Sequence, residues 1–205
     1  MRVLIVDDHP VVISGCKALL GADPSIEVFE AKDGNSGYAA YFACKPDVAV
    51  IDFNLPGISG LELCRRLLLR DPEARIAIFS MNDDAFFAAR AIEAGARGYI
   101  AKNDDPLLFL SSLRRIAAGG VYLQPEMARQ VAFKTGTGSG RLAGLNAREL
   151  EILRLFAAGQ SVAEIADVLN VSHKTAANNC TALKQKLGAR SSAELIRIAV
   201  DSKLG

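Results

Sequence analysis

The chain has few of the features that would place it outside the reducing interior of a cell. Its four cysteines lie far apart and show no spacing typical of metal ligands, which argues against a disulfide framework or a zinc site. No apolar stretch approaches the roughly 20 residues that a membrane-spanning helix needs, and residues 1–6 begin a strand pattern instead of a signal peptide. We therefore expect a cytoplasmic protein with buried thiols and no membrane partner.

The chain also has little net charge, because 24 basic side chains nearly balance 23 acidic ones and leave +1. Its two parts nevertheless differ, since residues 1–120 carry −3 and residues 121–205 carry +4. An excess of basic side chains in one region favours a nucleic-acid contact there. With 205 residues, 50% of them hydrophobic, the chain is long enough for about two domains that each bury a core.

Four short apolar runs in the first part of the chain each end on a polar residue that phosphoryl chemistry uses. The residues at their ends are Asp7 with Asp8, then Asp52, Ser80 and Lys102. If the runs are buried strands of a parallel sheet, these side chains meet at its carboxyl edge, where ligand sites of open α/β sheets lie. Three carboxylates, a hydroxyl and an ammonium together predict a site for a divalent cation and a transferred phosphoryl group.

Strand and helix patterns alternate five times as far as about residue 120. The predicted strands are 2–6, 27–30, 48–51, 76–79 and 98–101, and the predicted helices are 11–20, 36–44, 60–69, 85–94 and 106–118. Five such repeats are typical of an α/β, flavodoxin-like doubly wound parallel sheet. We therefore assign residues 1–120 to one α/β domain.

The composition changes after this region. Residues 136–140, Gly-Thr-Gly-Ser-Gly, are small and flexible, so we expect residues 121–144 to connect two domains, with a helical part near residues 125–133. The alternating glycines make only half of a nucleotide-binding motif, and no strand precedes them, which argues against that function. No strand pattern follows, and we assign residues 145–205 to a small all-α domain of four helices.

Helix starts in this second domain are marked by Asn or Ser followed three positions later by Glu, at residues 146, 161 and 191, and another helix begins at Ser172. Only residues 170–171 separate the second and third helices, a spacing typical of a helix-turn-helix. The third helix has an apolar stripe of Ala176, Cys180, Leu183 and Leu187. Its polar face is either merely solvated or able to contact base edges and phosphates of double-stranded DNA, and the basic character of this region favours DNA. The predicted contact residues are Lys174, Thr175, Ala177, Asn178, Thr181, Lys184 and Gln185.

Together these motifs resemble a known family. The acidic pair Asp7-Asp8, Asp52, the segment Asn54-Leu55-Pro56-Gly57, Ser80, Tyr99 and Lys102, joined to a four-helix C-terminal domain, are similar to those of two-component response regulators of the LuxR/NarL/FixJ class. The resemblance covers nearly the whole chain. It implies a phosphorylation-controlled, DNA-binding regulator of transcription in a bacterial two-component system, which forms a homodimer on DNA or on phosphorylation.

The resemblance also implies roles for individual residues. Asp52 would accept a phosphoryl group from a sensor histidine kinase, and Lys102 and Ser80 would bind its oxygens. Ser80 and Tyr99 would form a switch pair that changes the surface around the fourth helix and fifth strand. The implied Mg²⁺ ligands are Asp7 or Asp8, Asp52 and the backbone carbonyl of Asn54.

The recognition helix departs from the family pattern. After the threonine that matches Thr175, relatives commonly have a valine, a lysine and, two positions later, a histidine, whereas this chain has Ala176, Ala177 and Asn179. The DNA target therefore stays open. His9, between the acidic pair and a proline, is expected to be a turn or edge residue instead of a metal ligand.

Two other functions stay open at this point. One is a DNA-binding regulator whose receiver responds to a ligand or partner without phosphate, although the complete acidic pocket argues against it. The other is an aspartyl-phosphate hydrolase of the haloacid-dehalogenase type, which usually has a second aspartate two residues after the nucleophile, where this chain has Asn54. We therefore expect no enzymatic activity beyond phosphorylation and dephosphorylation at Asp52.

Overall fold

The structure is a computed structural model that describes residues 1–134, 145, 147–169 and 171–201. The chain divides into two compact units, Met1–Gly136 and Thr137–Gly205. Each unit has its own set of secondary-structure elements.

In the described part of the first unit, strands and helices alternate and a further helix follows. The strands are β1 (Arg2–Val6), β2 (Glu27–Ala31), β3 (Val48–Asp52), β4 (Ile76–Ser80) and β5 (Gly98–Ala101). The helices are α1 (Pro10–Leu20), α2 (Gly34–Cys44), α3 (Gly60–Arg70), α4 (Ala85–Glu93), α5 (Pro106–Ala117) and α6 (Pro125–Lys134). The sheet has the order β2-β1-β3-β4-β5 and all pairs are parallel, which confirms the predicted doubly wound α/β fold.

The three central strands are apolar along nearly their whole length because helices cover both faces of the sheet. Every residue of β3 and β4 is buried, and residues 3–6 of β1 have no exposed surface. On one face, side chains of α1 and α5 pack against β1, β3 and β4 in one apolar cluster. The strand ends that carry the polar residues are therefore held on a rigid core.

Helix α2 begins two residues earlier than the predicted start at residue 36. Asp33 caps it, since its Oδ1 accepts hydrogen bonds from the amides of Asn35 and Ser36 at 2.9 Å each. The first residue is Gly34, where an added Cβ would lie 2.7 Å from the Cβ of Ile58. Glycine has a low helix propensity, so sequence patterns alone place Gly34 outside the helix. The Asp33 cap and the close approach to Ile58 explain why the helix nevertheless includes it.

Residues 121–134, which we expected to be part of the interdomain connection, pack on the first unit. Tyr122 extends the sheet beside β5: its amide donates to the Arg97 carbonyl at 2.9 Å, and its own carbonyl accepts from the Tyr99 amide at 3.1 Å. Helix α6 lies against α4, with Met127 and Val131 buried. The predicted helical part is thus present, and it belongs to the first compact unit. The glycines of residues 136–140 lie outside the described residues.

The described part of the second unit is helical. Its helices are α7 (Ala147–Ala157), α8 (Val162–Val168), α9 (His173–Leu187) and α10 (Ser192–Asp201), and α7 contacts both α9 and α10. Ser161 and Glu164 form the predicted capping box at the start of α8, and Ser172 caps α9 by accepting the Thr175 amide at 3.1 Å. The predicted cap at residue 146 lies outside the described residues.

Candidate functional site

The carboxyl ends of four neighbouring strands bring the predicted polar residues together. Asp7 follows β1, Asp52 ends β3, Ser80 ends β4, and Lys102 follows β5. The pairing register aligns these ends, since Asp52 lies opposite Phe79 and Ser80 lies opposite Ala101. Residues that are up to 95 positions apart in sequence therefore share one edge of the sheet.

A buried ion-pair cluster forms at this edge. The Nζ of Lys102 lies 2.7 Å from Oδ2 of Asp7 and 2.8 Å from Oδ1 of Asp52. The three side chains are 5% exposed or less. Buried charges are tolerated only when they are paired, so the lysine compensates the two carboxylates.

The cluster raises the pKa of both Asp52 and Lys102, which disfavours the charged form of the aspartate and favours that of the lysine. Burial raises the pKa of Asp52 to about 6; Lys102 opposes this shift, and the charges of Asp7 and Asp8 add to it. Burial also lowers the pKa of Lys102, but the charges and hydrogen bonds of Asp52 and Asp7 outweigh burial and hold it above its usual value. The lysine thus stays charged, while ionised Asp52 is kept in an unfavourable environment.

The same edge contains a group of side chains that could hold a metal ion. One potential ligand atom from each of Asp7, Asp8, His9 and Asp52 lies within 4.8 Å of the others. Among the described residues, Oδ2 of Asp52 is buried and has no hydrogen-bond partner. A buried carboxylate oxygen without a partner, next to two further carboxylates, fits a hard divalent cation. Asn54 lies two residues beyond β3 and is half-buried.

Ser80 and Tyr99 both contact Asn82, which the sequence analysis did not single out. The hydroxyl oxygen of Ser80 accepts the Asn82 amide at 3.1 Å, and the Tyr99 hydroxyl donates to the Asn82 carbonyl at 2.7 Å. Tyr99 is 1% exposed, and burial raises its pKa, so the hydroxyl keeps the proton that it donates. The loop after β4 is therefore tied to both members of the predicted switch pair.

Gly60 is a second residue that the sequence analysis did not assign to the site. It begins α3 directly beside Asp52, and a Cβ at this position would overlap the Asp52 carbonyl oxygen. Only glycine allows the helix to approach the strand so closely. The sequence signal was available, because this glycine follows the capping serine Ser59, whose hydroxyl oxygen accepts the Glu62 amide.

His9 is the N-cap residue of α1, consistent with the expected turn position, but its imidazole also contacts the acidic pair. Its Nδ1 lies 2.8 Å from Oδ1 of Asp8 and 3.1 Å from Oδ1 of Asp7. The Asp7 oxygen accepts the His9 backbone amide as well, at 2.9 Å. Spacing in sequence could not predict this contact, because the direction of the imidazole depends on how α1 leaves the sheet.

The second candidate site is the polar face of α9. Ala176, Cys180 and Leu183 are buried and Leu187 is half-buried, in agreement with the predicted stripe. The predicted contact residues lie on the outer side: Lys174, Thr175, Asn178, Thr181 and Gln185 are exposed, while Ala177 and Lys184 are half-buried. These residues form one side of the helix from its first turn to its last.

Three side chains of this helix already have partners within their own unit, and one of them is Thr175, whose Oγ1 lies 2.8 Å from Oγ of Ser172. The Thr181 hydroxyl donates to the Ala177 carbonyl at 2.9 Å, so the oxygen is left to accept from a base. Lys186 pairs with Glu149 of α7 at 2.8 Å. Lys174 and Lys184 are therefore better placed than Lys186 to reach a phosphate.

Comparisons with known proteins identify both units. Residues 3–114 match the response regulator receiver domain, and residues 143–199 match the bacterial regulatory proteins of the luxR family. The chain is 37% identical over 209 residues to the transcriptional activator protein ExaE of Pseudomonas putida, and the alignment covers 100% of this chain and 98% of ExaE. The chain belongs to the LuxR family of two-component response regulators, which are DNA-binding regulators of transcription.

Similar solved structures belong to the same family. A LuxR-family response regulator from Aurantimonas sp. SI85-9A1 is 37% identical, with a TM-score of 0.62 over 66% of this chain and 98% of that one. RcsB of Salmonella enterica serovar Typhimurium, bound to promoter rprA in the presence of the phosphomimetic BeF3−, is 27% identical, with a TM-score of 0.59 and 96% of each chain covered. Within the described residues, no helix is both long and apolar enough to cross a membrane.

Proposed function

We propose that Asp52 is the phosphoacceptor of this response regulator. The phosphoryl group would pass from a histidine of the sensor kinase to an oxygen of Asp52: the P–N bond breaks, a P–O bond forms, and the released imidazole takes a proton from water. The observation that supports this assignment is the buried Oδ2 of Asp52, which has no hydrogen-bond partner in the described part of the chain. The other oxygen, Oδ1, is paired with Lys102 at 2.8 Å.

Asp7, Asp8 and Asp52 fit Mg²⁺, with the backbone carbonyl of Asn54 as a further ligand. When bound, the ion would neutralise the carboxylates and the phosphoryl oxygens, whose mutual repulsion otherwise opposes transfer. The carboxylate oxygens and their mutual distances support this ligand set. It contains oxygen atoms only, which Mg²⁺ prefers.

Lys102 and Ser80 would hold the transferred group. Lys102 lies within 2.8 Å of Asp52 and can follow the negative charge to the phosphoryl oxygens. Ser80 would donate its hydroxyl proton to one of these oxygens. A hydroxyl that turns toward the phosphoryl group also alters the hydrogen bond that it accepts from the Asn82 amide. Because Tyr99 donates to the carbonyl of the same Asn82, a movement of this loop reaches Tyr99 and the start of α4. This connection supports the role of Ser80 and Tyr99 as a switch pair.

The exposed face of α9 would enter the major groove of DNA. Asn178, Thr181 and Gln185 offer hydrogen bonds to base edges, and Lys174 and Lys184 offer charge to phosphates. A homodimer with two-fold symmetry would present two such helices to two half-sites. The protein would act in the cytoplasm, where the DNA lies. The predicted division into a receiver, a connection and a DNA-binding domain of residues 145–205 remains part of this proposal, with residues 121–134 counted with the receiver, on which they pack.

The test is intact-protein mass spectrometry after incubation with acetyl phosphate and Mg²⁺. We expect one phosphoryl adduct on the wild-type protein and none on the Asp52→Asn variant. An adduct that persists in the variant would place the acceptor elsewhere. No adduct on either protein, followed by normal DNA binding, would instead favour the phosphate-independent receiver. Turnover of a small phosphomonoester that depends on Asp52 would favour the hydrolase.

A further inference from the structure

The backbone of His9 is held firmly at the edge of the acidic pocket. Its amide donates to Oδ1 of Asp7 at 2.9 Å. Its carbonyl accepts from the amides of Val12 and Ile13 at 3.1 and 3.2 Å, in the first turn of α1. Pro10, the first residue of that helix, restricts the backbone further. The position of the His9 Cα is therefore fixed by contacts that do not involve the imidazole.

The imidazole itself lies against two of the carboxylates. A carboxylate accepts hydrogen bonds, so Nδ1 is the donor in the hydrogen bond to Oδ1 of Asp7 at 3.1 Å. Oδ1 of Asp8 lies 2.8 Å from the same nitrogen, as an ion-pair contact. The second oxygen of Asp7 is taken by Lys102 at 2.7 Å. Both oxygens of Asp7 thus have a donor side chain next to them, one lysine and one imidazole.

These are the oxygens that a cation needs. A divalent ion held by Asp7 and Asp8 requires lone pairs that point toward it, and an N–H group directed at the same oxygens competes with the ion for them. Lys102 is buried and cannot leave the pocket easily, since its side chain is 5% exposed. The His9 side chain is 63% exposed and can rotate toward solvent while its backbone stays in place.

We propose that His9 sets the cation affinity of this receiver by competing with the divalent ion for Asp7 and Asp8. The imidazole hydrogen-bonds Asp7 and contacts Asp8, and it has to rotate away before the ion binds. It is a positioning residue, because its effect on the reaction would pass through the carboxylates. This inference rests on the proposed Mg²⁺ site.

The test is isothermal titration calorimetry of the full-length, chelator-treated protein with Mg²⁺ alone. The variants are His9→Ala and, as a matched control, His173→Ala, which removes the second of the two histidines in the chain. His173 is exposed at the start of α9, in the other unit. Thermal unfolding of each variant checks that it is folded.

We expect Mg²⁺ to bind His9→Ala about three- to tenfold more tightly than the wild type, the range that the loss of one competing hydrogen bond predicts. His173→Ala should bind as the wild type does. A second measurement does not depend on a comparison of affinities. The proton resonances of the His9 imidazole, assigned by their loss in His9→Ala, should shift as Mg²⁺ is added, while those of His173 stay unchanged.

Equal affinities of wild type and His9→Ala would overturn the proposal. Weaker binding by His9→Ala would overturn it as well, because the imidazole would then support the ion, either as a ligand or by orienting the carboxylates. If none of the proteins binds Mg²⁺, the cation site of the proposed function fails together with this inference, whereas the mass-spectrometric test of Asp52 remains a separate result.

Discussion

The two candidate sites of this protein differ in where their residues come from and in how much of each is buried. The receiver pocket takes single residues from the ends of four strands, and Asp7, Asp52 and Lys102 have almost no exposed side-chain surface. The face of α9 takes its residues from one continuous stretch, 174–185, and most of them are exposed. A substitution in the pocket therefore changes both function and stability, whereas a substitution on the helix face changes binding alone.

Two lysines provide the sharpest test of this difference. Lys102→Ala leaves Asp7 and Asp52 buried without their cation, and we expect a loss of roughly 3–5 kcal/mol in the stability of the first unit. Lys184→Ala should change the stability of the second unit by less than about 0.5 kcal/mol. Urea unfolding of each variant measures both values. Adding Asp52→Asn to Lys102→Ala should recover part of the loss, and similar effects of the two lysines would contradict the comparison.

The boundary of the first unit can be tested at Met127. This residue of α6 is 8% exposed, and a buried carboxylate in its place should lower the stability of the first unit by roughly 2–3 kcal/mol. We expect Met127→Asp to show this loss in urea unfolding and Gln130→Asp, at an exposed position of the same helix, to be near neutral. If both variants behave alike, α6 is not part of the folded unit and the predicted boundary near residue 120 is the better one.

Substitutions on the polar face of α9 should separate the recognition of bases from the attraction to phosphates. Asn178→Ala should lower the preference for the correct base by about 1–3 kcal/mol at a single position of the site. Thr181→Ala should act in the same way but less, because the Thr181 hydroxyl proton is already donated to the Ala177 carbonyl. Lys184→Ala should weaken binding to all sequences and flatten the salt dependence. Fluorescence anisotropy on a selected DNA site and its single-base variants measures these effects. If Asn178→Ala instead lost affinity equally for all of these sites, base recognition would belong to other residues.

A pH-dependent effect is expected for the charge of Asp52 without Mg²⁺. Burial raises its pKa to about 6, above the value of about 4 in an unfolded chain. The folded protein therefore binds this proton more tightly than the unfolded chain does, and the contribution of Asp52 to stability falls as the pH rises from about 4 to about 6. Asp52→Asn should be more stable than the wild type by about 2–3 kcal/mol at neutral pH and nearly equally stable near pH 4. Denaturation in the presence of a chelator at both pH values checks this, and a constant difference would mean that Asp52 is ionised throughout.

Much of the fold could be predicted from local patterns. The central strands are continuous apolar runs between polar residues, so their positions agree with the structure to within a residue. The capping box at Ser161 and the cap at Ser172 likewise depend on residues three positions apart. In contrast, the early start of α2 at Gly34 and the packing of α6 on α4 depend on contacts with residues far away in sequence, which no local pattern contains.

The candidate site shows the same division. Residue type and the ends of apolar runs were enough to single out Asp7, Asp52, Ser80 and Lys102, because parallel strands bring their carboxyl ends to one edge. The contacts of Asn82 with Ser80 and Tyr99, and those of His9 with the acidic pair, came only from the structure. They depend on the path of a loop and on the direction of a side chain, which packing decides.

By itself, the sequence determined which residue types stand at strand ends and which face of α9 is polar. The first follows from where apolar runs end, and the second from a period of three to four residues along one segment. Only the tertiary structure decided that Lys102 lies between two carboxylates, that an imidazole covers the acidic pair, and that α6 belongs to the first unit. Periodicity states which side of a segment is buried. The distances between charged atoms depend on which segments meet, and that is set by the packing of the whole core.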